Sequence, residues 1–394
     1  MNKQQEQRLR FQGFMGTWEE KYLGKLAEQV KSYPLSRNVE TSEKTGFKYI
    51  HYGDIHRGIA DIIDSDENLP NIQAGNFELL KSGDLVVADV SEDYEGVGAA
   101  CVIDGALKNK VVSGLHTIAI RPNQTISLFL YYLLKTQAFK QYGRLIGTGT
   151  KVVGITASKF LNFQTNIPTL PEQTHLGLFF RRLDSQIAES RAVLDKSRQL
   201  KKAMLAKMFP ADGEKIPKIR FKGFEEEWEE ESLGKIGEFS AGGDINKEKL
   251  MTFGRYPVLA NALTNNGIVG FYNNYEFESP AITITGRGDV GIAKARKENF
   301  SAVVRLLVLK NKPNYDVDFL EQAINKIDFH TESTGVPQLT VPQCKSYSIH
   351  LPSYKEQTAI GNFFRQLDET IALQAAEVEK LNQLKKGLLA AMLI

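Results

Sequence analysis

The stretch IPTLPEQTHLGLFFRRLDSQIAESRAVLDKSRQLKKAMLAKMF, residues 167–209, recurs as LPSYKEQTAIGNFFRQLDETIALQAAEVEKLNQLKKGLLAAML, residues 351–393. In both copies apolar residues follow each other at spacings of three and four, which predicts a long amphipathic helix. A helix from Glu172 to Met208 would be about 55 Å long at 1.5 Å per residue. Because one helix cannot cover its own apolar stripe, we expect the two copies to pack as a coiled coil. Packing of each helix on its own domain is the alternative.

A second repeat lies ahead of each helix. RFQGFMGTWEEKYLGKLAE, residues 10–28, matches RFKGFEEEWEEESLGKIGE, residues 220–238, at an offset of 210, whereas the helical stretches match at an offset of 184. The chain therefore repeats a frame around two segments that differ in length and sequence. If a two-fold axis relates the halves, the helices are antiparallel. The residues before Phe11 should then lie near the end of the second helix, as the linker lies near the end of the first.

The segments inside the frames read as mixed α/β domains. The first contains the strand-like runs YIHYGDI, DLVVADV, GAACVID and HTIAIRP, followed by a helical run ISLFLYYLLKTQAFKQYG. The second contains YPVLA, GIVGFYN, PAITIT, GIAKA and AVVRLLVLK, followed by a helix around DFLEQAINKI. The order of elements is similar in the two segments, although the residues differ.

Together these patterns predict an α+β (mixed) protein. Two α/β domains are joined by two long helices packed as an antiparallel coiled coil, with an internal pseudo-two-fold repeat. The predicted segments are the first domain with the N-terminal segment (1–165), the first long helix (166–209), a linker rich in Pro and Gly (210–219), the second domain (220–350) and the second long helix (351–394).

Composition narrows the class of protein. The chain of 394 residues is 42% hydrophobic and 24% charged, which is typical of a soluble globular protein with two or more domains. No apolar run approaches the roughly 20 residues that span a bilayer, and MNKQQEQRLR does not resemble a signal peptide. We expect a cytoplasmic protein whose two cysteines, Cys101 and Cys344, are buried reduced thiols. With a net charge of +2, any binding to nucleic acid must come from local patches.

One glycine-rich motif and the six histidines are the candidates for a catalytic or cofactor site. GRGDVG, Gly286–Gly291, satisfies the glycine pattern of a dinucleotide site, but the following residues are β-branched and predict a strand rather than the required helix. A basic hairpin is the favoured interpretation. The six histidines have no metal-ligand spacing, and no nucleophile or P-loop motif is present.

In the first segment, basic and hydrogen-bonding residues are interleaved with aromatic ones. This composition is typical of a surface that contacts bases and phosphates, although a solvated strand edge would look similar. The loop GTGTKVVGITASKF places hydroxyl and backbone N–H groups beside a lysine, which suits phosphate contact, with an ordinary turn as the alternative. The candidate residues are Lys44, Lys48, His51, His56, Arg57, Thr148 and Lys151.

In the second segment, RYPVLANALTNNGIVGFYNN offers asparagine amides, which can pair with adenine, or else form a plain turn. The hairpin that contains GRGDVG is expected to carry a cluster of basic residues at its tip, including Lys297. The Gly/Thr loop STGVPQLTVPQ corresponds to the loop of the first segment. The candidate residues are Arg255, Asn261, Thr264, Asn265, Arg287, Lys294, Arg296 and Thr334.

Several of these stretches together resemble the specificity subunit of type I restriction–modification systems. They are YIHYGDIHRG, GTGTKVVGITASKF, IPTLPEQTHLGLFFRRLDSQI, YPVLANALTNNGIVGFY, STGVPQLTVPQ and LPSYKEQTAIGNFFRQLDETI. The resemblance covers almost the whole chain, and the repeated frame is its most specific feature. LPEQ and YKEQ are loose versions of the family's proline-rich entry into Glu-Gln.

The resemblance implies two target-recognition domains, each of which reads one half of a split double-stranded DNA site. It implies two modification (methyltransferase) subunits as partners, with S-adenosylmethionine bound in those subunits, and restriction (endonuclease and translocase) subunits that use ATP and Mg²⁺. The chain itself is expected to hold no cofactor or metal, to have no catalytic centre and to contact no membrane. A coiled-coil scaffold with two protein-binding domains and a nucleotide-cofactor enzyme using Gly286–Gly291 are the alternatives.

Overall fold

The structure is a computed structural model that describes residues 9–330 and 337–393. The chain forms two compact units. Unit 1 comprises the chain up to Ser190 together with the segment from Glu377 onward, and unit 2 comprises Arg191–Ala376. Each unit therefore contains one domain of mixed α/β structure and a part of both long helices.

The first half of the chain contains thirteen of the described strands and five α-helices. The strands are β1 (Glu19–Tyr22), β2 (Ala27–Val30), β3 (Glu40–Thr41), β4 (Phe47–Ile50), β5 (Ile62–Ile63), β6 (Asn71–Ile72), β7 (Leu85–Ala88), β8 (Val90–Ser91), β9 (Ala100–Ile103), β10 (Lys110–Ser113), β11 (Thr117–Pro122), β12 (Val153–Gly154) and β13 (Gln164–Ile167). The helices are α1 (Tyr52–His56), α2 (Ser127–Leu133), α3 (Gln137–Ile146), α4 (Ala157–Leu161) and α5 (Leu170–Met208).

The second half repeats this plan with fewer strands. The strands are β14 (Glu229–Ser232), β15 (Gly237–Ala241), β16 (Tyr256–Leu259), β17 (Ile268–Tyr272), β18 (Ala281–Ile284), β19 (Ala293–Arg296), β20 (Ser301–Ala302), β21 (Leu307–Asn311) and β22 (Ser348–Leu351). The helices are α6 (Leu233–Ile236), α7 (Val317–Ile324), α8 (Val341–Ser346) and α9 (Tyr354–Met392).

Both units use the same strand order although their sequences differ. The larger sheet of unit 1 is ordered β2-β11-β7-β9-β5, and its counterpart in unit 2 is β15-β21-β18-β19. The second sheets are β10-β4-β6-β3 and β20-β16-β17; each begins with a parallel pair followed by an antiparallel pair, and β3 adds a second antiparallel pair in unit 1. The main core of each unit lies between the larger sheet and the helices, and a smaller core lies between the two sheets. The internal repeat therefore extends to the segments whose sequences do not match.

The helices α5 and α9 pack against each other in opposite directions. In unit 1 the Lys385 ammonium donates to the Asp184 carboxylate. In unit 2 the Nζ atom of Lys201 lies 2.6 Å from Oδ1 of Asp368. An early residue of one helix thus contacts a late residue of the other, which confirms the antiparallel pairing. The stripe also covers the domain cores, because Phe180 of α5 belongs to the core of unit 1.

The chain segments next to the helix ends are repeated as well. The N–H of Leu9 donates to the carbonyl oxygen of Ala391 at 3.2 Å, and the N–H of Ile219 donates to the carbonyl oxygen of Lys207 at 2.8 Å. Leu9 corresponds to Ile219 at the offset of 210, and Lys207 corresponds to Ala391 at the offset of 184. For Leu9, the first residue that the structure describes, this confirms the predicted position beside the end of α9, as the linker lies beside the end of α5.

The repeated frame attaches each domain to its long helix through a buried ion pair. The Nε and Nη2 atoms of Arg10 donate to the two carboxylate oxygens of Glu172 at 2.6 and 2.7 Å. Arg220 makes the same two bonds to Glu356, both at 2.7 Å. Both glutamates are buried in the first turn of their helices. The arginine of one sequence repeat and the glutamate of the other thus contact each other in both halves of the chain.

Removing the Arg220 side chain should destabilise the protein by about 3 kcal/mol, because the buried Glu356 carboxylate would lose its bidentate partner. Denaturant unfolding of the Arg220→Ala variant measures this loss. Lys108→Ala is the matched control, since Lys108 pairs with Glu67 and both side chains are exposed; it should leave the unfolding midpoint almost unchanged. Equal effects of the two substitutions would contradict the role given to the buried pair.

Three predicted elements are wrong in part. The run YIHYGDI is a strand only at its start, because α1 begins directly after His51. The run AVVRLLVLK is divided into β20 and β21, since Val304 and Arg305 have φ values of 54° and 59°. The helix predicted over residues 126–143 is two helices, and α3 starts anew with Thr136 as its N-cap.

The described residues contain no disulfide, no helix that could span a membrane and no cluster that could hold a metal ion. Cys101 and Cys344 are buried and form no disulfide, as the sequence predicts. No helix in the described part of the chain is long and apolar enough to cross a membrane. Within residues 9–330 and 337–393, no three His, Cys, Asp or Glu side chains are grouped so that they could hold a metal ion.

Candidate nucleic-acid interface

In unit 1 the candidate site begins with α1, which directly follows strand β4. The helix starts at this point because His51 and Asp54 form a capping box. The Nδ1 atom of His51 accepts from the N–H of Gly53 at 3.1 Å, and the Asp54 carboxylate accepts from the N–H of His51 at 3.1 Å. Local capping therefore overrides the strand-forming tendency of this run.

Helix α1 forms one wall of a cleft of about 900 Å³. At its centre, the Tyr52 ring is contacted by three imidazoles, with ring-centroid distances of 4.4 Å to His51, 6.0 Å to His56 and 5.4 Å to His116. The other wall is formed by residues 90–96 and carries the carboxylates of Glu92, Asp93 and Glu95. Imidazoles, aromatic faces and carboxylates are groups that can contact the edges of bases.

A buried carboxylate fixes two guanidinium groups at this cleft. Asp54 is completely buried, and its Oδ1 atom lies 2.8 Å from Nη2 of Arg37 and 3.0 Å from Nη2 of Arg57. Burial lowers the pKa of His51, and the charge of Arg37 lowers it further. The His51 ring is therefore neutral at pH 7, which agrees with Nδ1 acting as an acceptor. The cleft thus combines fixed positive charge with a neutral imidazole.

The loop over residues 147–154 borders the same cleft. Thr148 and Gly154 exchange two backbone hydrogen bonds at 3.0 and 2.9 Å, which closes the loop. Val152 lines the cleft. Lys151 is exposed, and its ammonium has no bonded partner in the part of the chain that the structure describes. The structure therefore places the loop that contains Thr148 and Lys151 beside the cleft lined by His51, His56 and Arg57, although neither Thr148 nor Lys151 lines it.

Two lysines do not join this site. Lys48 is buried, and its Nζ atom donates to the carbonyl oxygens of Glu67 at 3.1 Å and Leu69 at 2.6 Å. Its ammonium is thereby used inside the domain, so Lys48 does not fit the predicted contact with DNA. Lys44 is exposed but precedes β4, at the end of the strand opposite His51.

In unit 2 the corresponding segment is 261–267, which follows strand β16. Asn261 uses both ends of its amide: Oδ1 accepts from the N–H of Gly286 at 2.8 Å, and Nδ2 donates to the carbonyl oxygen of Val304 at 2.6 Å. Asn261 therefore joins two loops and is not free to pair with adenine. Asn265 has a φ of 49°, which is the turn conformation that was the alternative for this residue. Thr264 is exposed beside it.

The basic hairpin is present as strands β18 and β19, but its basic residues are placed differently from the prediction. Only Arg287 lies in the connecting loop, and Lys294 and Arg296 lie in β19. The Nζ atom of Lys297, just after β19, lies 2.6 Å from Oδ2 of Asp318. The glycine-rich loop is followed by strand β19, as the sequence predicts. A dinucleotide site would require a helix at this place.

Arg296 is the most unusual charge of this hairpin. Its guanidinium donates to Oγ1 of Thr283 and to the carbonyl oxygen of Asn266, both at 2.9 Å. Burial lowers its pKa to about 10. No carboxylate within residues 9–330 and 337–393 pairs with it, whereas Lys294 lies 3.4 Å from Glu321. Arg296 thus stabilises the turn at Asn265 and Asn266, and it keeps a positive charge at the edge of both sheets.

Two further predicted residues lie elsewhere. Arg255 precedes β16, at the opposite end of the strand from Asn261, and its guanidinium is 5.2 Å from the centre of the Tyr256 ring. Thr334 lies outside the described residues. The structure therefore groups Asn261, Thr264 and Asn265 with the β18–β19 hairpin, and separates Arg255 from them.

Sequence reasoning missed Arg37 and His116 in unit 1 and Arg305 in unit 2. Arg37 and His116 line the cleft, and Arg305 is exposed at the turn that Asn261 holds. Each is distant in sequence from the segment it contacts. No sequence pattern marks them, and the positive φ values of His116 and Arg305, 55° and 59°, are visible only in the structure.

The two candidate sites occupy corresponding places in the fold. Each is built from the segment after the strand that pairs in parallel in the second sheet, β4 in unit 1 and β16 in unit 2. Each is completed by the loop after β7 or β18. In unit 1, Val153 and Gly154 pair with β8, and in unit 2 Gln338 pairs with Arg287. The residues at these places are unrelated. The fold and sites thus define a protein with two similar domains whose candidate sites carry different side chains.

Comparison with known proteins identifies the family. The model of the type I restriction modification DNA specificity domain matches residues 15–195 and 225–383. The chain therefore belongs to the family of type I restriction–modification DNA specificity proteins, and both halves carry the family domain.

Individual relatives agree with this assignment. Two putative type I specificity subunits of Mycoplasma pneumoniae, S.MpnORF507P and S.MpnORF89P, are 30% identical over 118 residues and 32% identical over 168 residues. These matches cover 30% and 39% of this chain, which thus spans 32% and 49% of the length of the two relatives. The S subunit of a type I restriction–modification system from M. genitalium has a similar fold, with a TM-score of 0.67 at 15% identity over 98% of both chains.

Proposed function

We propose that this chain is the specificity subunit of a type I restriction–modification complex, and that each unit reads one half of a bipartite, asymmetric DNA site. One observation carries the proposal: the two candidate sites occupy corresponding places but present different side chains. Since base identity is read by the donor and acceptor pattern of side chains, different surfaces select different half-sites. Phosphate contacts, for example from Lys151, supply affinity without sequence choice.

In this proposal α5 and α9 set the gap between the half-sites. Each helix has 39 residues and is about 58 Å long, which is more than the roughly 34–36 Å of one DNA turn. The same helices dock the two modification subunits. Leu200 and Leu384 support this, because they occupy corresponding positions and are 47% and 49% exposed, leaving apolar surface for a partner.

We assign the chemistry of the complex to its other subunits. The modification subunits bind S-adenosylmethionine and flip the target adenine, which cannot be methylated inside the stacked duplex. The restriction subunits use ATP and Mg²⁺. The present chain contributes recognition and no catalytic step. Its net charge of +2 is small for a DNA-binding protein, so we expect the partners to supply much of the attractive field.

Sequencing of methylated genomic DNA tests the proposal. Cells that produce this chain with its modification and restriction subunits should methylate adenine in one asymmetric motif with two specified half-sites and an unspecified gap. Cells that lack only this chain are the matched control and should show no such motif. If the assembled complex methylates no motif and shifts no DNA in a gel, the proposal is wrong and a protein-binding scaffold is the better interpretation.

A further inference from the structure

A turn in unit 2 that the sequence does not predict has a strained backbone. Between β20 and β21, Val304 and Arg305 both have positive φ values, 54° and 59°. For a β-branched residue such as valine this conformation is an outlier that costs about 1–3 kcal/mol. Strain of this kind persists only where the surroundings enforce it, and it is concentrated at functional sites.

The surroundings hold this turn by several contacts. The N–H groups of Val304 and Arg305 donate to the carbonyl oxygens of two consecutive glycines at 2.8 and 3.0 Å. The carbonyl oxygen of Val304 accepts from Asn261 at 2.6 Å. A Cβ atom at Gly286 would lie 2.9 Å from the carbonyl oxygen of Arg305, so the close approach requires glycine there. The direction of the Arg305 backbone is therefore tightly fixed.

The turn presents an arginine without a partner. Arg305 is exposed, and its guanidinium forms no hydrogen bond or ion pair among the residues that the structure describes. Arg287 is likewise exposed and unpaired among them, and it follows the glycine that contacts the turn. Two free guanidinium groups are thus carried by adjoining segments of the candidate site.

Unit 1 also has a non-glycine residue with positive φ at the corresponding turn. Between β10 and β11, His116 has a φ of 55°. Its ring packs on Tyr52 and lines the cleft. In both units, therefore, the turn that enters the second strand of the larger sheet, β11 or β21, carries a non-glycine residue with positive φ and a polar side chain at the candidate site.

We propose that Arg305 reads a base in the half-site bound by unit 2, by donating two hydrogen bonds to O6 and N7 of a guanine in the major groove. This inference rests on the proposed function. Bidentate pairing of arginine with guanine is the commonest specific contact to a base. It needs a guanidinium held in a fixed direction, whereas contact with a phosphate needs little more than charge. The enforced turn fixes the direction in which the Arg305 side chain leaves the backbone.

Binding of the assembled complex to DNA tests the inference. The probe is the target identified from methylation by the wild-type complex, with each base pair of both half-sites varied in turn. Arg305→Ala should reduce the preference for guanine at one position of one half-site by about 5- to 150-fold. The other half-site should be unaffected. Arg305→Lys should restore the preference only in part, because an ammonium can contact O6 and N7 but lacks the rigid planar fork of the guanidinium.

Two matched variants separate reading from folding. Val304→Gly should keep the preference for guanine. Its melting temperature should equal or exceed that of the wild type, since glycine adopts a positive φ at no steric cost. Lys108→Ala removes an exposed cation outside the long helices and the candidate sites and should change neither.

The opposite results are equally specific. Unchanged base preference in Arg305→Ala would overturn the inference. The inference would also be overturned if Arg305→Ala weakened binding equally for all sequences and made the slope of log K against log salt concentration about 0.9 less steep. That result marks a lost phosphate contact. A wild-type complex that binds no DNA would instead overturn the proposed function itself.

Discussion

A chain in which residues 237–339 replace residues 27–155 should recognise two copies of one half-site instead of two different half-sites. The exchanged segments contain both sheets and the candidate site, and they leave the frame and the long helices intact. Because α5 and α9 are antiparallel, we expect the two copies to be in inverted order. An asymmetric target would thus become an interrupted palindrome.

The graft should fold because the two segments meet their frames through corresponding contacts. Phe129 packs on Trp18 with ring centroids 6.3 Å apart, and in unit 2 Phe319 packs on Trp228 at 5.6 Å. The entry into the following helix is fixed by one glutamine in each unit: Gln173 accepts from the N–H of Ile126 at 2.9 Å, and Gln357 accepts from that of Asp316 at 3.2 Å. The frame of unit 1 therefore provides the groups that the grafted segment contacts in unit 2.

Sequencing of methylated DNA from cells with the grafted chain measures the outcome. The reciprocal graft, residues 27–155 in place of 237–339, is the matched control and should give two copies of the other half-site. A target that stays asymmetric in both chains, or half-sites that differ from both of the wild-type ones, would show that base reading is not confined to these segments.

The frame and helices could be predicted because they are encoded twice. The heptad-like spacing in residues 167–209 specifies a helix by itself, and the second copy indicates its partner. The structure adds that the repeated residues contact one another, as Arg10 and Glu172 do. A repeat in sequence thus marks residues that share one structural task, even where the reason for a given residue is visible only in the fold.

Two of the wrong predictions concern segments in which specific side-chain and backbone contacts override strand propensity. YIHYGDI alternates like a strand, yet the Asp54 carboxylate caps a helix at His51. AVVRLLVLK is rich in β-branched residues, yet Gly286 and the Asn261 amide enforce a turn at Val304. Both errors lie at the candidate sites, where local preference is expected to yield to function.

Individual site residues were harder to predict than the site's position. Residue type alone made Lys48 resemble a phosphate ligand. Its position in β4, however, directs the side chain into the interior of the domain, where its ammonium donates hydrogen bonds to backbone carbonyl oxygens. Arg37 and His116 gave no signal, since only folding brings them to α1. A sequence can thus indicate which segment forms the surface, while burial decides which of its side chains are available.

Lengthening α5 and α9 equally should widen the gap between the half-sites and leave their sequences unchanged. An insertion of seven residues after Ser190 and another after Gln374 adds about 10 Å to each helix, or about three base pairs at 3.4 Å each. Seven residues are close to two full turns, so the apolar stripe stays in register. Methylation mapping with the modification subunits present measures the new gap.

The ion pairs between the helices explain why both insertions are needed. Asp184 and Lys201 are separated in α5 by the same number of residues as Asp368 and Lys385 in α9, and each aspartate pairs with the lysine of the other helix. Equal insertions preserve both pairs, whereas an insertion in α5 alone puts one of them out of register. The single insertion should therefore lower the melting temperature and abolish a defined gap. If the double insertion left the gap unchanged, or altered the half-sites, the helices would not be what sets the spacing.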